Sequence, residues 1–266
     1  MGLFNWFKNV NSFTPQPRKT SNDDNKLEAI LKKAATEPAY RPEFYKLLLS
    51  EELVVLTDKM SFKEGSYTLE KSTTVNIATL SDGPIPVFTS TDRIFDKNVI
   101  TEQVPFIGMK GANLFQLVKG ATFILNPYSD YGKELLPLEI ESMLDGTVLS
   151  AKHRQITVEK ETQVLLGQPA EYPQKVVDSL KTLFLAKPAV KAAYLGWIHD
   201  PASSDPPHLI IGLDLDKEDP TVTNEAGFIA YSCMKPDEIV DFIRIQKGQS
   251  FTDYFLTQTT PFYFRD

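Results

Sequence analysis

The chain has little of what enzymes most often use for nucleophilic and acid–base chemistry. Its 266 residues include one cysteine, Cys233, and three histidines, His153, His199 and His208. A lone cysteine excludes an intramolecular disulfide and fits a reducing compartment, so a cytoplasmic location is expected. No run approaches the ~20 apolar residues that span a bilayer. The first residues lack the basic, apolar and small-residue sections of a secretory signal. Positive charge is also scarce, with 28 Lys and Arg against 35 Asp and Glu and a net charge of −7. Residues 27–150 carry 12 basic and 17 acidic side chains, and residues 162–266 carry 9 and 14. Neither half offers the basic surface that a phosphate backbone requires, so nucleic acid is not an expected partner.

What is present is the make-up of an ordinary globular protein, 42% hydrophobic and 24% charged. The length suggests two domains. Residues 1–26 read as a polar, Pro-containing tail. Within it Leu3, Trp6, Phe7 and Val10 fall at helical spacing beside Phe4. Membrane contact is therefore expected only through residues 1–10, the alternative being a frayed terminus.

The first domain is assigned to 27–150. Asn25 followed by Glu28 reads as a capping box before the apolar face Leu27, Ile30, Leu31 and Ala34. Strands are expected at 53–57, 67–70, 74–80 and 85–90, the last two joined as a hairpin through the turn signal Ser81-Asp82-Gly83-Pro84. VPFIGMK reads as a strand, GANLFQLVKG as a helix, ATFILNP as a buried strand, and a closing helix ends at Gly146. Residues 151–161 form a polar linker. The second domain, 162–266, opens with a strand in TQVLLGQP and a helix begun by Pro173. Strands VKAAYLGWIH and HLIIGLDLD follow, then a mixed, weakly helical stretch TVTNEAGFIAYSCM and the strand EIVDFIRI. The expected class is α+β throughout, and β-α-β-β-α-β in the second domain is the ferredoxin-like order. The terminal aromatics of FTDYFLTQTTPFYFRD are expected to pack on that domain.

Six features invite a chemical reading. Gly108, Lys110, Gly111 and Asn113 lead from a strand into a helix, where free amides and a lysine could hold a small anion. The pattern is neither a dinucleotide fingerprint nor a P-loop, so glycine geometry alone is the competing account. His199 and His208 end a hairpin loop that also holds Asp200, and two imidazoles and a carboxylate could hold a metal. A solvated hairpin tip is the alternative. Trp197, Tyr254, Phe255, Phe262 and Tyr263 are candidate interface aromatics if exposed, and core residues otherwise. Cys233 lies in an apolar run with no neighbouring base or cation and reads as a packing residue. Ser129, in Ser129-Asp130-Tyr131-Gly132, lacks a nucleophile elbow. The carboxylates Asp214, Asp216, Glu218 and Asp219 lack calcium-loop spacing. No catalytic residues and no cofactor are assigned.

Longer phrases carry more. The runs EPAYRPEFYKLLLSEELVVL, IPVFTSTDRIFD, IGMKGANLFQLVKGATFILNPYSDYG, GQPAEYPQKVVDSLKTLF, VKAAYLGWI and PPHLIIGLDLD resemble the SseB family, the bacterial enhanced serine sensitivity proteins, over about residues 27–264. The resemblance implies two domains and a link to amino-acid metabolism, expected to run through contact with a pathway enzyme, and it brings no catalytic residues with it. The expected function is a non-catalytic protein-binding or regulatory factor with an unidentified protein partner. The alternative is an amino-acid or small-anion sensor or enzyme, with its site at the Gly108–Asn113 turn or the His199–His208 hairpin.

Overall fold

A computed structural model describes residues 25–57, 74–81, 83–150, 163–246, 248 and 250–265. The expected tail helix, the strand at 67–70, His153 and the 151–161 linker lie outside them. The chain forms two compact units. One comprises Met1–Ala35 and Glu43–Val148, the other Thr36–Pro42 and Leu149–Asp266.

The first unit starts with α1, Lys26–Thr36, whose buried stripe is the expected Leu27, Ile30, Leu31 and Ala34. Glu28 N donates to Asn25 Oδ1 at 3.2 Å, which satisfies one of the orphan amides of the first turn. The return bond runs from the Asn25 side-chain amide to Glu28 Oε1 at 3.3 Å. After α2, Arg41–Ser50, come β1 (Glu52–Leu56), β2 (Ile85–Phe88) and a 3₁₀ segment, Thr91–Asn98. The unit is completed by β3 (Phe106–Lys110), α3 (Gly111–Leu117), β4 (Phe123–Leu125), β5 (Lys133–Leu135) and α4 (Pro137–Leu144). The sheet order is β3-β1-β2-β4-β5. Its one parallel pair among the described strands is β2 with β4.

The hairpin expected across residues 74–90 does not form. The turn itself closes, with Leu80 N donating to Pro84 O at 2.8 Å. However, β2 is buried along its length and both its edges are taken, by β1 and β4. Residues 74–80 instead reach the end of β1 through a single bridge, Thr57 with Ile77.

The second unit holds β6 (Leu165–Gly167), α5 (Gln174–Leu185), β7 (Val190–His199), β8 (His208–Leu215), α6 (Pro220–Cys233), β9 (Val240–Arg244), α7 (Ser250–Gln258) and β10 (Tyr263–Phe264). The sequence order β-α-β-β-α-β is as expected, but the pairing is not ferredoxin-like. That fold is built from split βαβ units, in which a strand lies between the two parallel ones. Here β8 and β9 are parallel direct neighbours, and β6 pairs antiparallel with β7. The stretch read as weakly helical is α6, of 14 residues, with Asp219 capping it by accepting from Thr221 N and Pro220 in the first turn.

Two cores flank the second sheet. On one face Ala193, Leu195, Leu209 and Ile211 pack with Val176, Val177, Leu180 and Phe184 of α5 and with Val222, Ala226 and Ile229 of α6. On the other, Ala192, Tyr194 and Ile210 pack with Phe255 of α7. Gly196 and Gly212 open that face: an added Cβ would stand 2.9 Å from the Phe255 ring at Gly196 and 2.6 Å from Ile245 Cδ1 at Gly212.

Candidate functional site

Parallel strands deliver their following loops to the same end of a sheet, and in open α/β sheets ligands bind outside the carboxyl ends of such strands. At the carboxyl ends of β2 and β4 the first unit has a cleft of about 300 Å³. Its walls come from three segments: Glu28, Leu31 and Lys32 of α1, Arg93, Asp96 and Lys97 of the 3₁₀ segment, and Asn126 with Tyr128–Tyr131 after β4.

The cleft is built from its floor. Asn126 is 2% exposed and adopts a left-handed φ of 49°, a conformation that asparagine tolerates better than most residues. Its backbone amide continues the β2 ladder to Val87 O at 2.8 Å. Its Oδ1 accepts from Thr89 N at 2.9 Å, and its Nδ2 donates to Thr89 Oγ1 at 3.0 Å. Thr89 Oγ1 in turn donates to Glu28 Oε1 at 2.8 Å, as does Ser90 Oγ at 2.9 Å. One carboxylate oxygen thus ties α1 to the loop after β2.

A second set of contacts forms the wall. Arg93 Nη1 contacts both oxygens of Asp96, at 3.2 and 3.0 Å, and its Nε lies 3.5 Å from Glu28 Oε1. Ser129 Oγ donates to Asp96 Oδ2. At the rim Lys97 Nζ pairs with Asp130 at 2.7 Å, and this cation holds the Asp130 carboxyl below its ordinary value. Lys32 Nζ stands 5.8 Å from the centroid of the Tyr131 ring, within cation–π range. Gly132 closes the loop because an added Cβ would come within 2.6 Å of Leu125 O. Two buried polar atoms in this wall have no protein hydrogen-bond partner, Arg93 Nε and the Tyr128 hydroxyl. Tyr128 is 8% exposed and packs its ring on Phe88 at 5.7 Å, and burial pushes its phenol pKa upward.

The residues singled out from sequence fall elsewhere. Gly108, Lys110 and Asn113 are exposed around the start of α3. Gly111 is there for packing: its amide donates to Glu51 O at 3.1 Å, and an added Cβ would sit 1.9 Å from Leu48 O. A carbonyl oxygen against this short helix start opposes an anion. His199 and His208 do not meet. The β7–β8 register opposes Ile198 to His208, so His199 points to the other sheet face. His208 is held by Asp241 Oδ2 at 2.9 Å and Pro206 O at 2.7 Å, and Asp200 accepts from Ala202 N. Among the described residues no group of three or more His, Cys, Asp or Glu is placed to hold a metal.

The carboxylates after β8 have separate tasks. Asp216 pairs with Arg265 at 2.6 Å, Glu218 lies 3.9 Å from Arg244, and Asp219 caps α6. Of the candidate interface aromatics, Phe255 is fully buried and belongs to the core. Trp197, Phe262 and Tyr263 pack against the α5–α6 core, and Tyr254 against the opposite one. The most exposed large apolar side chains are others, including Leu185, Leu138, Leu117 and Phe264.

Sequence reasoning missed the cleft, although two of its three segments fall in or beside runs that carry the family resemblance, IPVFTSTDRIFD and FILNPYSDYG. Comparison with known proteins agrees with that resemblance. Residues 27–142 match the SseB protein N-terminal domain, and residues 158–265 match the SseB protein C-terminal domain. The chain belongs to the SseB family. It is 32% identical over 251 residues to Protein SseB of Escherichia coli (strain K12), covering 92% of this chain and 94% of the relative. Protein SseB of Shigella flexneri matches with the same identity and coverage. No solved structure matches. Every cleft residue lies within the match to the SseB N-terminal domain. No helix among the described residues is long and apolar enough to cross a membrane.

Proposed function

We propose that this SseB-family protein is a non-catalytic regulatory factor of the cytoplasm, linked to amino-acid metabolism. In this reading it takes a small polar ligand in the first-unit cleft and relays that occupancy to a protein partner. The observation that carries the reading is the cleft's charge balance. Three cations, Lys32, Arg93 and Lys97, converge with three anions, Glu28, Asp96 and Asp130, at the carboxyl ends of a parallel strand pair. Such a lining suits a small ligand bearing both charges better than a polyanion.

The non-catalytic part rests on how the groups are engaged. Arg93 is paired with Asp96, and Ser129 with the same carboxylate. No histidine or cysteine is among the lining residues, so the usual base for activating a hydroxyl is not at hand.

The test is a thermal-shift screen of the whole chain against amino acids, their phosphate esters, nucleotides and divalent metals. A ligand at 100 times its Kd adds about 2.7 kcal/mol to the native state. A raised melting temperature with amino acids, abolished by Arg93→Gln, is the expected result. A shift that survives Arg93→Gln undiminished places the ligand outside the cleft and ends this reading. Consumption of the ligand by the purified protein ends the non-catalytic part.

A further inference from the structure

We propose that the α5–α6 face of the second unit is a docking site for a short proline- and tyrosine-bearing turn of a protein partner, and that the chain's own Thr36–Pro42 keeps it shut. The proposal rests on the protein-partner part of the function proposed above and not on what the cleft holds.

Thr36–Pro42 joins α1 to α2 in the chain, yet it belongs to the second unit, while the residues up to Ala35 and from Glu43 belong to the first. The buried apolar side chains of the two helices stop at Ala34 and resume at Phe44. Between those points Pro38 and Pro42 are buried as well. A connection between helices ordinarily runs over the surface in water, so a buried proline at its tip calls for a surface that receives it. That surface is made by α5 and α6, against which the 3₁₀ turn Pro38–Tyr40 lies. The turn is closed by Tyr40 N donating to Glu37 O at 3.2 Å and by Arg41 N donating to Pro38 O. Ala39, Tyr40 and Arg41 are half-buried beside it.

Plug and socket are each built without the other. Proline fixes φ at both 38 and 42, so the turn loses little conformational freedom on docking. The helices α5 and α6 are held to the second sheet by their own apolar side chains, among them Val177, Leu180, Phe184, Val222 and Ile229. Lys187, just past the end of α5, also pairs with Glu225 of α6 at 2.6 Å. The socket therefore keeps its shape when the turn leaves it. A tethered turn faces its socket at an effective concentration on the order of millimolar, and a partner's turn must compete with it. The partner's apparent affinity falls in proportion to the fraction of molecules whose socket is open.

The test is a fluorescence-anisotropy titration of the full-length protein with a labelled peptide spanning Thr36–Pro42, beside amide exchange in α5 and α6. Pro38→Asp is expected to expel the turn, and Pro38→Ala to loosen it. The parent is expected to bind the peptide about tenfold more weakly than Pro38→Asp, or weaker still, with Pro38→Ala between them. Protection in α5 and α6 is expected to fall in Pro38→Asp and to return when the peptide saturates it. A peptide that itself carries Pro38→Asp is expected not to bind. Equal affinity for the parent and both variants places the peptide elsewhere and overturns the proposal, as does a folded Pro38→Asp with no affinity for it. Should Pro38→Asp not fold, tighter binding by Pro38→Ala than by the parent supports the proposal, and equal binding overturns it. Loss of the second unit's fold in both variants, without rescue by the peptide, makes the turn an integral part of that core and also overturns it. The thermal screen decides the cleft reading independently of all these outcomes.

Discussion

Asn126 and Thr89 exchange hydrogen bonds at 2.9 and 3.0 Å, and in doing so they splice the loops that follow two parallel strands. Neither residue is in a strand, and both are buried. Asn126 supplies three things at once: an acceptor for Thr89 N, a donor to its hydroxyl and a tolerated left-handed φ. Asn126→Ala is expected to lower stability by about 2–4 kcal/mol, combining an orphaned buried amide with left-handed strain. Asn126→Gly should recover the strain, about 1 kcal/mol, and nothing more. Urea unfolding of both variants checks this, and equal midpoints for the parent and Asn126→Ala would show the splice to be idle.

Gly111 tests the packing account of the glycine turn. Gly111→Ala forces a methyl onto Leu48 O, so α2 and α3 must separate, and a loss of about 3 kcal/mol or more is expected. Gly120 has φ 77° and open space around it, so Gly120→Ala should cost only about 1 kcal/mol. Equal costs at the two sites would mean that α2 and α3 yield freely and that the Leu48 carbonyl does not select glycine at 111.

Lys187 Nζ lies 2.6 Å from Glu225 Oε2, with the two side chains 18% and 1% exposed. Lys187→Met is expected to cost about 1–3 kcal/mol by taking one charged partner from a buried carboxylate. The double variant Lys187→Met, Glu225→Leu should regain much of that loss. A double-mutant cycle by chemical denaturation measures the coupling, and strict additivity would refute it.

Acid should loosen the last strand first. Arg265 beside Asp216 lowers the Asp216 pKa, chiefly through their hydrogen bond. A depressed carboxylate pKa contributes stability that is present above the unfolded value and lost as pH falls through the folded one. The pair is solvent-exposed and its contribution small, so the readout is local: lower amide-exchange protection in β10, relative to the intrinsic rate at each pH, as pH drops below the ordinary carboxylate range. Arg265→Gln should remove that pH dependence. Exchange that keeps its acid dependence in Arg265→Gln would assign it to another group.

Much of the architecture was legible where local chemistry and periodicity agree. Asn25 and Glu28 announced the start of α1, and the spacing of Leu27, Ile30, Leu31 and Ala34 gave its buried face residue by residue. Elsewhere the deciding term was tertiary. Ser81–Pro84 does turn the chain, but turn chemistry cannot show that both edges of Ile85–Phe88 are already occupied. The Asp219-Pro220 start of α6 was a readable cap, obscured by the β-branched and glycine residues that follow. The histidine hairpin failed on parity, because a period of two puts His199 and His208 on opposite faces once Ile198 faces His208.

The cleft was not legible because its groups come from segments near residues 28, 93 and 129, and no one segment carries a known signature. Ser129 was set aside for want of a nucleophile elbow. Its partner is Asp96, 33 residues earlier, which only the parallel pairing of β2 and β4 brings near. The aromatics read as interface candidates if exposed, and as core residues otherwise, could not be sorted for a related reason. The aromatics near the chain's end also fill the space above Gly196 and beside Phe184, and composition cannot separate the two uses.

Glu28 belongs to two structures at once, the cap of α1 and the wall of the cleft. Anything that competes for its carboxylate must therefore be felt by the first turn of a helix whose amides are readily observed. The exchange rates of a few backbone amides near residue 28 would therefore register any disturbance of that carboxylate, without a label.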